Sequence, residues 1–212
     1  MENFIKKYKV AITIGIVWLF HISAIIGINL GNLDWFIEKT PLNLCLSLLL
    51  FFISYPLIKQ KQWIAFVIFF AGGMFAEWLG VKFNLLFGTY AYGNNFGPKI
   101  DGVPLLIGCY WALLTFITSS ILNYSKLAVW PKIILGATLM VILDFFMEHS
   151  APTFDFWTFE GNLVPLQNYV AWFSIAILFH IILRLFKING NKVFSLNLYL
   201  AQLIFFMYFY FL

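Results

Sequence analysis

Charge is what this chain has least of: only 10% of its 212 residues are Asp, Glu, Lys or Arg, against 62% apolar. That balance excludes a water-soluble domain of this length, so the bilayer must be most of its solvent. Cysteine is scarcer still. Cys45 and Cys109 both fall inside apolar runs, with no zinc or haem-attachment spacing, and read as small buried core residues rather than a disulfide or metal pair. Only three histidines occur, His21, His149 and His180, which excludes the close histidine sets of di-iron membrane oxidases. A haem held between His21 and His180 is the weaker reading, since isolated membrane histidines hydrogen-bond neighbouring helices. No glycine-rich nucleotide fingerprint is present, and GNNFGPK lacks P-loop spacing. Repeats, low-complexity tracts and linkers are also missing, which leaves one transmembrane domain over residues 1–212 as the expectation.

Long apolar runs are what is there, and the mean hydropathy is +0.89. They cover Val10 to Leu30, Pro41 to Ile58, Gln62 to Val81, Val103 to Leu122, Ala128 to Met147, Leu166 to Phe186 and Val193 to Leu212. Each is close to the roughly 20 residues that cross a bilayer, and backbone groups in lipid must bond internally. The fold class is therefore all-α, a polytopic membrane bundle of about seven helices. The first run is too long for a signal-peptide core and is expected to be retained as a span.

The net charge of +4 does not point to nucleic acid, because the basic residues sit in short connectors. Lys6, Lys7, Lys9, Lys59, Lys61, Lys126, Lys132, Arg184, Lys187 and Lys192 fall on one side of this topology, and only Lys39, Lys82 and Lys99 on the opposite side. The positive-inside rule then expects a bacterial-type cytoplasmic membrane with the N-terminus in and the C-terminus out. Asp34, Glu38, Asp101, Asp155 and Glu160 would lie outside.

The stretch FGTYAYGNNFGPKIDGVP, Phe87 to Pro104, is patterned unlike the rest. It packs four glycines, two prolines and two asparagines around Tyr90 and Tyr92. Gly88, Gly97, Pro98, Gly102 and Pro104 are expected to shape a structured loop, with Tyr90 to Tyr92 extended and Pro104 in the first turn of a helix. Near this connector lie Glu77, four residues before the end of its run, and Asp144 and Glu148, spaced i, i+4 on one helix face. A charged carboxylate in hydrocarbon costs about 2.5 kcal/mol or more, so intramembrane acids usually face a cavity. The alternative is interfacial pairing with Lys82 and Lys99. His149, beside Glu148, is placed to tune or relay a proton. Tyr90, Tyr92, Trp157 and Trp172 read either as the wall of a site or as an interfacial aromatic belt. Aromatics make up 21% of the chain, which suits lipid contact and equally a site for a long flat hydrocarbon.

Glu77, FGTYAYGNNFGPKIDGVP, Trp111, LDFFMEHSAP, FDFW and VPLQNYVAW together resemble the carotenoid biosynthesis protein family, that of the CruF-type carotenoid 1',2'-hydratases and bisanhydrobacterioruberin hydratase-like proteins. The resemblance runs from about Ile64 to Trp172. Two features depart from the family pattern: His149 stands where it has proline, and the glycine–aromatic lead-in before Val164 and Pro165 is missing. What the resemblance implies is a hydratase that adds water to the terminal double bond of an acyclic (psi) carotenoid end, without cofactor or metal. Its substrate would be a membrane-dissolved carotenoid of the lycopene or γ-carotene type, with other carotenoid enzymes as expected partners.

That chemistry agrees with the residues. Hydrating an unactivated alkene needs a protonated acid, and burial favours a carboxyl group's neutral form. A second carboxylate can hold and deprotonate the water, and aromatic faces can stabilise the tertiary cation. Glu148 or Asp144 is the expected donor and Glu77 the water-holding partner, with Tyr90, Tyr92, Trp111, Trp157 and Trp172 around the substrate and Asn168 orienting polar groups. Two alternatives stay open: an end-group cyclase, which protonates but excludes water, and a proton-coupled lipid transporter or binding protein using the same three acids.

Overall fold

The computed structural model describes residues 2–55 and 57–212, with side chains from residue 8 onward. The expectation for Lys6 and Lys7 lies outside those side chains. Helix α1 covers Glu2–Asn29, α2 Leu33–Glu38, α3 Thr40–Ser54 and α4 Gln60–Phe83. Three short strands follow, β1 Tyr90–Tyr92, β2 Lys99–Ile100 and β3 Val103–Pro104, then α5 Leu105–Asn123 and α6 Val129–Ser150. Strand β4 spans Trp157–Phe159, a 3-10 turn Glu160–Asn162, α7 Leu166–Leu185 and α8 Lys192–Tyr210. The chain is an all-α polytopic membrane bundle.

Six helices are long and apolar enough to cross a membrane, among the described residues, instead of seven. The exception is α3, which has 15 residues and so spans about 22 Å. Its sequence sets both limits: Pro41 lies in the first turn, where proline is tolerated. At the other end Tyr55 precedes a proline in sequence, and that position disfavours helix.

Helix α5 is the central pillar and touches α3, α4, α6, α7 and α8. A helix apolar on every face belongs in such a position. Its hydroxyls at Thr115, Thr118 and Ser120 donate to the carbonyls of Trp111, Leu114 and Phe116, one turn earlier, which keeps polar groups satisfied in an apolar core. Cysteine behaves differently from expectation: Cys45 is exposed and Cys109 half-buried, both free, because the faces of α3 and α5 that carry them are not fully covered by neighbours.

One face of the bundle is tied by the connectors after α3, α5 and α7. The Lys61 ammonium donates to the Phe186 carbonyl at 2.5 Å, Asn123 to that of Ile188 at 3.2 Å and Asn191 to that of Ser54 at 3.5 Å. The opposite face carries the strands. Strand β1 pairs antiparallel with β4, Tyr90 opposite Phe159 and Tyr92 opposite Trp157. The period of two turns these four rings inward and leaves Ala91 and Thr158 exposed. Strands β2 and β3 form a hairpin across Asp101 and Gly102, whose φ values of 51° and 89° fit the Asp-Gly preference of a tight hairpin turn. Pro104 consequently caps α5 instead of lying in its first turn.

Candidate active site

Glu77 projects from the inner face of α4, where Gly73, Ala76 and Gly80 are also buried. The two glycines have a physical reason. A Cβ on Gly73 would meet Trp111 at 2.7 Å, and one on Gly80 would meet the Tyr90 hydroxyl at 2.7 Å. Their absence lets both donors reach the carboxyl group between them. Tyr90 and Tyr92 donate to Glu77 Oε2 at 2.5 and 2.8 Å, and Trp111 Nε1 donates to Oε1 at 2.9 Å. Three donors on one carboxyl group form an acceptor's cradle.

The second half of the site hangs from α6. Asp144 and Glu148 are one turn apart, and Asn168, in the first turn of α7, bridges them through Nδ2, 3.1 Å from Asp144 Oδ2 and 3.0 Å from Glu148 Oε1. Trp157 Nε1, from β4, donates to Glu148 Oε2 at 2.7 Å. Asp144 is fully buried and its Oδ1 has no hydrogen-bond partner among the described residues. Among the described residues no ion pair reaches any of the three acids: Lys82 pairs with Asp101 at 3.5 Å, and Lys99 donates to the Tyr92 carbonyl. The interfacial pairing with these lysines is therefore not what the structure contains.

A small cavity joins the two halves, about 10 Å³ in volume, roughly the space one water molecule needs. Glu77, Tyr90, Tyr92, Glu148, Trp157, Asn168 and Trp172 line it. Asp144 sits behind it, reached through Asn168. Trp111 stacks on Trp172 at 3.7 Å and 15°, which fixes both indoles. Tyr90, Tyr92, Trp157 and Trp172 are all buried, so they do not form a lipid-facing belt. Burial first, and then the charge of Glu77, raises the Tyr90 and Tyr92 hydroxyls well above the ordinary tyrosine range, keeping them proton donors.

The connectors hold this arrangement from outside. Gly88, Gly97 and Gly102 have φ of 105°, 84° and 89°, a region glycine enters without strain. The Pro98 carbonyl accepts from Leu105 at 2.9 Å. Asp101, held by Trp78 Nε1 at 2.7 Å and by Lys82, has its carboxyl lowered from the usual range. Asp155 Oδ2 accepts from the Asn94 amide at 2.8 Å and locks one connector to the other. Sequence reasoning gave Asp155 no role, and it missed Phe87, Ile107 and Phe159, which also line the cavity. Only the pairing of Phe159 with Tyr90 would have pointed to that ring.

The histidines are elsewhere. His149 is exposed, against the Tyr210 ring, because adjacent helical residues point about 100° apart; it does not join the acids. His180 engages both ring nitrogens, with the Ala176 carbonyl and Thr118, and His21 bonds the Val17 carbonyl.

Fold and site thus define a helical membrane protein with a buried, aromatic-walled carboxyl cluster at one end of the bundle. The profile of the carotenoid biosynthesis protein family matches residues 40–212, so the chain belongs to that family. It is 23% identical over 140 residues to bisanhydrobacterioruberin hydratase of Haloarcula japonica, a match covering 58% of this chain and 46% of that protein. The chain thus spans about half the length of that relative. No solved structure matches it significantly.

Proposed function

We propose that this chain is a hydratase acting on a membrane-dissolved carotenoid, adding water to the terminal double bond of an acyclic end group to give a tertiary alcohol. The observation that carries this reading is the water-sized cavity between two differently held carboxyl groups, Glu77 and Glu148. The hydratase name of the Haloarcula japonica relative supports it.

In the proposed mechanism, the Asp144–Glu148 pair holds one proton. Two like charges bridged by a single amide in a low-dielectric site repel strongly, and the C-terminal end of α6 disfavours further negative charge. Asp144 has the free oxygen from which a proton can leave. It moves to the less substituted alkene carbon, the π pair forms the C–H bond, and a tertiary cation remains. The rings of Tyr90, Tyr92, Trp157 and Trp172 stabilise that cation by about 0.5–2 kcal/mol each. Water held against Glu77 attacks the cation, Glu77 takes the released proton, and that proton returns to the Asp144–Glu148 pair before the next turnover. Atoms balance without an oxidant or reductant, so no redox cofactor is required. A cyclase would protonate the same alkene with water excluded, and the polar cavity favours hydration.

The test is substitution at the acids. Asp144→Asn and Glu148→Gln are expected to lower water addition by about 10²–10⁴-fold in folded protein, read as pigment composition in lycopene-producing cells. Retained hydration after all three acids are neutralised would overturn the mechanism.

A further inference from the structure

A second cavity, much larger than the one between the acids, lies elsewhere in the bundle. A space of about 530 Å³ lies among α1, the α2–α3 segment, α5, α6 and α8, a size typical of small-molecule sites. Its walls are apolar and rich in rings, including Phe20, Trp35, Phe36, Phe154, Phe205 and Phe206. Leu19, Phe20, Trp35 and Leu42 line it and are themselves exposed, which suits a mouth opening toward hydrocarbon. Gln202 also lines it, is 4% exposed, and has a side-chain carbonyl without a partner among the described residues. A buried acceptor left unpaired is costly, and a hydroxyl would satisfy it.

This cavity and the carboxyl site are lined by neighbouring residues of the same elements. Tyr110 and Met147 line the large cavity, while their chain neighbours Trp111 and Glu148 belong to the carboxyl site. The Tyr110 hydroxyl lies within electrostatic reach of Asp144. Phe96 lines the large cavity and packs on Trp157 and Tyr92, ring centroids at 5.9 and 6.3 Å.

We propose that the large cavity binds the chain of a linear isoprenoid polyene, entering from the bilayer between α1 and α3, with its reacting end at the Tyr110 wall beside Asp144. The occupant follows from the apolar ring-lined walls, the lipid-facing mouth and the continuity with the acids. Its identity as a carotenoid rests on the hydratase reading above. Water and hydrocarbon would then approach from opposite sides, and Gln202 offers an acceptor to an alcohol product. Part of the wall comes from α1 and α2, ahead of residue 40 where the family match begins, so these helices would set which chains fit.

The test uses lycopene, an achiral polyene that acquires circular dichroism in its visible band when held in a chiral site. The purified full chain in nanodiscs is titrated as wild type, Gly15→Ala, Ala24→Phe and Ser47→Phe. Ala24 and Ser47 both line the cavity; Ala24 is only half-buried, so its variant decides if Ser47→Phe does not fold. Wild type and Gly15→Ala are expected to bind alike, and the filled cavities at least about tenfold more weakly. No induced signal in wild type, or undiminished binding in a folded Ala24→Phe protein, would overturn the proposal. Binding blocked by Ala24→Phe with no water ever added by wild type would support the chain site and sink the hydratase reading. Undiminished hydration by Ala24→Phe would sink the chain site alone.

Discussion

Glu77 and Asp144 differ in what surrounds their oxygens, and that difference assigns their proposed work. Glu77 takes three donated hydrogens, from Tyr90, Tyr92 and Trp111, and is set up as an acceptor; Asp144 keeps one oxygen unengaged by any described residue. The two tyrosines make this cradle pH-sensitive in one direction. Their hydroxyls are raised well above the ordinary range by burial and by Glu77, whereas in an unfolded chain they would ionise near pH 10. A raised value means the folded state holds more protons above that pH, so stability is intact below about pH 10 and falls as pH rises beyond it. Thermal melts of wild type in detergent should therefore drop more steeply above about pH 10 than those of a Tyr90→Phe, Tyr92→Phe double variant. Equal slopes would remove the tyrosines from the alkaline transition.

At the scale of elements, the site depends on how closely α4 approaches its neighbours. Gly80→Ala should push the Tyr90 hydroxyl off Glu77, costing about 1–3 kcal/mol and most of the hydration activity. Gly15→Ala on α1, where a Cβ meets nothing within 4 Å, should leave both unchanged. Melting temperature and pigment turnover of the two variants check this, and equal behaviour would contradict it. The strand period of Tyr90 to Tyr92 was legible in the sequence because side chains alternate, as was the shared face of Asp144 and Glu148. What was not legible was pairing: nothing local says that Trp157 reaches Glu148, that Asp155 clasps Asn94, or that His149 turns away. The Asp155–Asn94 contact joins positions 61 residues apart, and Trp157 turns back onto Glu148 from β4, whose place is set by its register on β1.

For the whole molecule, apolar run length located the helices, but it counted α3 as a full span because hydropathy does not register where prolines cut a helix. It also gave no sign of a large cavity, which arises from how α1, α3 and α8 are spaced. The tied connectors after α3, α5 and α7 carry the lysines, so reporter fusions after Lys61, Ser125 and Asn189 are all expected to report cytoplasm; a periplasmic signal at any of them would reject that orientation. The proposed addition of water is open to oxygen tracing. Purified protein in liposomes is given lycopene or γ-carotene in ¹⁸O-labelled water, without nucleotide, added metal or molecular oxygen. The expected product is heavier by one labelled water and carries the label in a tertiary alcohol. An unlabelled or oxygen-dependent alcohol, a cyclised isomer of unchanged mass, or no product at all would contradict it.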